Sequence, residues 1–92
     1  MNVLAINHQV EDYDTWKSVF DSYTPAANGA RFHRVNRSVD DPNNLTVVAG
    51  FDTAEAARSF VEDPALAEKM HDAGVIGAPR IELFEEVEST QA

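Results

Sequence analysis

Two stretches of this chain are almost free of polar side chains. Val3-Leu4-Ala5-Ile6 is apolar throughout, and Leu45-Thr46-Val47-Val48-Ala49-Gly50-Phe51 is apolar or small at six of its seven positions. Short runs rich in Val, Ile and aromatic residues read as strands. A strand with one face in water alternates apolar and polar residues, so a run that does not alternate is expected to be covered on both faces. A chain of 92 residues folds around one core and has no material left for a second covering layer. A second copy of the chain is therefore expected over the bare face. Each large side chain buried there contributes roughly 1.5–3 kcal/mol relative to exposure, so a handful per protomer supports a homodimer.

The rest of the sequence supplies the frame. Residues 2–10 read as the first strand. Tyr13, Trp16, Val19, Phe20 and Tyr23 recur with helical spacing behind Asp12, a candidate N-cap, and Pro25 and Asn28-Gly29 end that helix. Residues 31–39 form a second strand. The turn-forming Asp40-Asp41-Pro42-Asn43-Asn44 makes a hairpin with the strand from Leu45 to Phe51. Asp52, with Glu55 three residues on, reads as a capping box opening a helix whose inner face is Ala54, Ala57, Phe60 and Val61. Asp63-Pro64 restarts the helix, Leu66 and Met70 supply its apolar face, and Gly74 stops it. Residues 75–79 read as a connecting loop and 80–87 as the last strand. The order β-α-β-β-α-β predicts an α+β, ferredoxin-like antiparallel sheet. Its first and third strands should be central, its second and fourth at the edges, and its helices on one face. Residues 1–88 are expected to form one domain and 89–92 a flexible tail.

Composition narrows the function. Seven Lys and Arg against sixteen Asp and Glu give a formal charge of −9, which disfavours nucleic acid and anionic membrane surfaces as partners. Cysteine is absent, which excludes thiol catalysis and cysteine-bound metal centres. The N-terminal run has no basic flank and breaks at Asn7, so neither a signal peptide nor a membrane span is expected and the chain reads as cytoplasmic. Arg31, Arg34 and Arg37 crowd the second strand, and Glu82, Glu85, Glu86 and Glu88 the fourth and its exit. These are complementary edges between protomers, or solvated edges that block aggregation.

The stretch Phe51-Asp52-Thr53-Ala54-Glu55-Ala56-Ala57-Arg58-Ser59-Phe60, followed by Asp63-Pro64-Ala65-Leu66 and Met70, resembles a structural block of the dimeric α/β-barrel superfamily. The small stand-alone antibiotic-biosynthesis-monooxygenase-like domains are the nearest branch, and the resemblance covers roughly residues 2–87. It implies two ferredoxin-like protomers packed sheet to sheet. It also implies one of several activities, because relatives of this shape include cofactor-free oxygenases of quinols and anthrones, haem-degrading enzymes, isomerases, cyclases and domains without known activity. Asn7 and His71 fall where haem-degrading relatives carry an Asn and a His, but the only tryptophan, Trp16, lies on the first helix instead of near the second. No haem or other cofactor is therefore expected.

Candidate chemistry rests on few residues. His8 lies among Leu4, Ile6 and Val10 as a core histidine or as a general base lining a cleft. His33 and Arg37 share one side of the second strand, and each is a candidate donor to an oxyanion, with a plain edge residue or a salt bridge as the simpler reading. His8 and His33 could face each other across a small ligand. The aromatic stripe with Trp16 and Tyr13 is core or pocket wall. His71, near a helix C-terminus, is a dipole partner or a ligand contact. Trp16, Tyr13, His71 and Phe51 are the candidate substrate-binding residues. The histidines lack ligand spacing, so no metal is expected. The expectation is a homodimer that binds a hydrophobic aromatic or polyketide-like molecule, as a cofactor-independent monooxygenase with His8 as base. A cyclase or isomerase of the same fold, or a non-catalytic ligand-binding or assembly domain, are the alternatives.

Overall fold

In β1 (Asn2–Val10) the side chains alternate between a fully buried set, Leu4, Ile6, His8 and Val10, and a half-exposed set, Val3, Ala5, Asn7 and Gln9. The computed structural model, which describes residues 1–91, places this strand at the centre of a four-stranded antiparallel sheet. The other elements are α1 (Tyr13–Phe20), β2 (Phe32–Arg37), β3 (Asn44–Phe51), α2 (Ala54–Glu62), α3 (Pro64–Asp72) and β4 (Val75–Glu85). The strand order is β2-β3-β1-β4. Central β1 and β3 and outer β2 and β4 are the arrangement expected of a ferredoxin-like α+β fold. Ala92 of the expected tail lies outside the described residues.

The helices cover one sheet face in two adjoining clusters. Leu4, Ile6, Ala49 and Phe51 meet Ala57, Phe60 and Leu66 from α2 and α3. Val10, Leu45 and Val47 meet Trp16 from α1 and Ala73 after α3. The caps explain the helix starts. Asp12 accepts from the Thr15 N–H at 3.0 Å, and Asp63 accepts from Ala65 N–H at 2.9 Å with Pro64 behind it.

Three sequence expectations are corrected. The cap of α2 is Thr53, whose hydroxyl accepts from Ala56 N–H at 3.0 Å, and not Asp52. Arg31 takes the Asp52 carboxylate instead, donating from Nε at 2.9 Å and from Nη2 at 2.6 Å. The segment 75–79 is strand at its start instead of loop throughout: Val75 and Ile76 pair with Val10 and Gln9, and Arg80 with Asn7. Gly77 (φ 70°), Ala78 and Pro79 bulge out opposite His8 alone, because proline cannot donate to the ladder and only glycine adopts that φ without strain.

The third correction concerns the bare face. The register lays Phe32, Gly50, Val3 and Phe84 in one row, Arg34, Val48, Ala5 and Glu82 in the next, and Asn36, Thr46, Asn7 and Arg80 in a third. The face is apolar at one end and polar at the other, not apolar throughout. At the polar end Asn7 Nδ2 donates to Asn44 Oδ1 (3.2 Å) and Thr46 Oγ1 (2.9 Å), and Gln9 Nε2 donates to Asp41 (3.1 Å). The continuous apolar runs come from Val3, Ala5, Val48 and Gly50, which fill the middle of the two rows at the apolar end. The edge charges also have partners within the chain. Arg31 pairs with Asp52 and Arg80 with Glu82, while Arg34 and Arg37 lie over the rings of Phe32 and Tyr13.

Candidate functional site

A cavity of about 40 Å³ opens between the sheet and the helices. Ile6, His8 and Val47 come from the sheet, Trp16, Val19 and Phe20 from α1, Tyr23 and Pro25 from the following loop, Phe60 from α2, and Leu66, Lys69 and Met70 from α3, with Ala73 behind it. Half-buried Val19, Tyr23, Lys69 and Met70 form its rim. The wall is apolar apart from His8, Lys69, the Trp16 indole N–H and the Tyr23 hydroxyl, and that hydroxyl donates to Asp63 at 3.3 Å. Burial and the Asp63 carboxylate together hold the Tyr23 pKa above its usual value, so the phenol stays protonated.

His8 occupies the floor. It is 5% exposed, and among the described residues neither ring nitrogen has a hydrogen-bond partner. Buried polar groups are nearly always paired, so two orphaned nitrogens on one ring are costly and call for a reason. Burial lowers the imidazole pKa, because the charged form loses its water. At neutral pH the ring is therefore uncharged and one nitrogen holds a free lone pair. The β4 bulge stands opposite His8, and bulges gather beside sites where a sheet must be re-aimed.

The predicted site residues divide. His8 and Trp16 line the cavity together, with ring centroids 5.5 Å apart. Trp16 stacks on Phe20 at 4.7 Å, and Phe20 meets His33 edge-on at 5.4 Å. His33 shares the sheet face with His8, but it pairs with Ala49 while His8 pairs with Leu45. The two histidines are thus offset by four residues along the sheet, with Trp16 and Phe20 between them. His33 Nδ1 also has no partner among the described residues. Arg37 shares the row of Leu45 and His8, but its guanidinium turns outward over the Tyr13 ring, 4.6 Å from its centroid. Tyr13 is tilted against Trp16 at 6.1 Å, outside the cavity. Phe51 is wholly buried against Phe60 and forms core. His71 is exposed at the end of α3, 3.9 Å from Asp72, and does not line the cavity.

Lys69 escaped sequence reasoning because a lysine on a helix reads by default as solvated. Val19, Phe20, Tyr23, Leu66 and Met70 carried a usable signal, their apolar spacing, but nothing in the spacing separates pocket wall from core. Among the described residues no group of three or more His, Asp or Glu side chains converges as a metal site, and no helix is long and apolar enough to cross a membrane.

No family model and no curated protein matches the chain. Solved structures do match it. A candidate antibiotic biosynthesis monooxygenase from Deinococcus radiodurans superposes with a TM-score of 0.75 at 12% identity, over 100% of this chain and 98% of its own. SnoaB, a cofactor-independent oxygenase from Streptomyces nogalater, superposes with a TM-score of 0.72 at 21% identity, over 96% and 95%. A candidate antibiotic biosynthesis monooxygenase from Bordetella bronchiseptica gives 0.72 at 16% identity, over 95% and 98%. Element for element and nearly end to end, the chain has the ferredoxin-like fold of these antibiotic-biosynthesis-monooxygenase-like proteins.

Proposed function

We propose that the chain is a homodimeric, cofactor-independent monooxygenase of a hydrophobic aromatic substrate with an acidic C–H or phenolic O–H. The observation that carries the proposal is His8: a buried, neutral imidazole with both nitrogens unpaired, on the floor of an apolar cavity. The fold of SnoaB supports it. The cavity accepts the reacting edge of such a molecule, and the rim carries its body.

His8 takes the proton from an activated methylene, and the resulting carbanion, delocalised over the rings, transfers an electron to dioxygen. The two radicals combine to form a carbon–oxygen bond, and protonated His8 returns its proton to the peroxide. Loss of the second C–H proton breaks the O–O bond and releases water. One CH₂ and one O₂ become one C=O and one H₂O. The apolar wall keeps the carbanion from being reprotonated by solvent, and a neutral imidazole at pH 7 is a competent base.

Oxygen uptake with anthrone tests this. Wild-type protein consumes one O₂ per anthrone oxidised, and His8→Ala loses at least about a hundredfold in rate, the usual worth of a general base. Uptake unchanged in His8→Ala removes the base. Proton exchange without oxygen consumption moves the site to isomerase or cyclase chemistry.

A further inference from the structure

Lys69 lies on α3 one residue before Met70 and shares the cavity with His8. Among the described residues it is the only charged side chain in the wall, whose other polar groups are His8, the Trp16 indole N–H and the Tyr23 hydroxyl, which Asp63 already engages. Among the described residues the Lys69 ammonium has one polar contact, donating to Ser22 Oγ at 3.4 Å, and no ion pair. Carboxylates outnumber cationic side chains sixteen to seven in this chain. Lys17, Arg31 and Arg80 each hold an acid. A half-buried lysine left without one, at the rim of an apolar cavity, has donors to spare.

We propose that Lys69 is a specificity residue that selects aromatic ligands bearing a carboxylate. The aromatic edge enters toward His8 and Trp16 while the carboxylate accepts from the ammonium at the rim. The inference rests on the reading of the cavity as a ligand site and specifies the ligand's charge. The contact is charge-assisted, and because the ammonium stands at the exposed rim it is worth a preference of only severalfold. The same ammonium does nothing for a neutral ligand of the same shape.

The test compares naphthoate with its neutral counterpart, naphthalenemethanol, by calorimetric titration at low salt. Wild-type protein binds naphthoate about fivefold tighter than the alcohol. Lys69→Met weakens naphthoate by that factor and leaves the alcohol unchanged, which also shows that the variant is folded. Lys69→Arg keeps the preference, and added salt erodes it in the wild type. A preference that survives in Lys69→Met, or equal binding of both probes to wild type, overturns the role of Lys69 and leaves the cavity as a ligand site. Failure of both probes to bind wild type overturns the inference and the cavity reading together.

Discussion

His8 and Trp16 lie ring against ring on the cavity floor, their centroids 5.5 Å apart and their planes inclined at 44°, so the chain's one tryptophan reports on its one buried histidine. Burial holds the His8 pKa below its ordinary value of 6.5. The folded state therefore binds fewer protons than the unfolded chain between those two values, and stability rises with pH across that window. The contribution is intact above pH 6.5 and is lost as the pH falls toward the depressed pKa. Trp16 emission should fall on acidification with a midpoint below 6.5, and the urea midpoint should decline over the same range. A midpoint at or above 6.5 would show that the ring is hydrated.

The same residue should set stability against activity. Replacing a buried, unpaired polar group by an apolar one removes a desolvation cost without losing a hydrogen bond. His8→Leu should be more stable than wild type by about 1 kcal/mol at neutral pH, read from urea unfolding, while losing oxygen uptake. It should also lose the acid-dependent step in stability, because the titrating group is gone. Destabilisation by a similar amount would mean that His8 is a satisfied structural residue.

How much of this was legible beforehand depended on whether the signal was local. The strand order, the central β1 and β3, and the caps at Asp12 and Asp63 follow from spacing and turn residues within a few positions, and the structure has them. The cap of α2 falls one residue later than the sequence suggests, because Asp52 is the better capping residue in isolation and only the fold brings Arg31 across to claim its carboxylate. Val75 and Ile76 read as loop in the sequence because Gly77 and Pro79 follow, yet β1 offers them a ladder. For the site, His8 and Trp16 could be picked out as types. That Arg37 turns away over Tyr13, that Phe51 is core, and that Lys69 joins the cavity depend on side-chain directions between elements distant in sequence.

Gly50 gives a test of the sheet. A methyl group added there would overlap Cδ2, Cε2 and Cζ of the Phe32 ring, with Arg34 over the ring at 4.3 Å. This is an aromatic side chain filling the gap over a strand glycine. Gly50→Ala should cost about 1–3 kcal/mol by displacing the ring. In Gly50→Ala combined with Phe32→Ala the two costs should fall short of additive, because the clash disappears with the ring. Strict additivity would mean that Phe32 moves aside freely.

The proposed homodimer makes the sharpest demand on the open face. Phe32 and Phe84 stand at the two ends of one row, with Gly50 and Val3 between them, and Arg34 and Glu82 end the next. A twofold axis parallel to the strands, between two sheets packed face to face, lays each β2 over the other protomer's β4. Phenylalanine then meets phenylalanine, and arginine meets glutamate. Phe84 is 49% exposed in the single chain, so a charge placed there costs the monomer little but must be desolvated in the dimer. Phe84→Glu should be monomeric by sedimentation equilibrium at concentrations where wild type is dimeric, with the monomer fold intact by circular dichroism. Arg34→Glu, which would set carboxylates against each other across the seam, should weaken the dimer modestly. A wild-type chain that sediments as a monomer at high micromolar concentration would rule out the dimer and leave the apolar end of this face without an occupant.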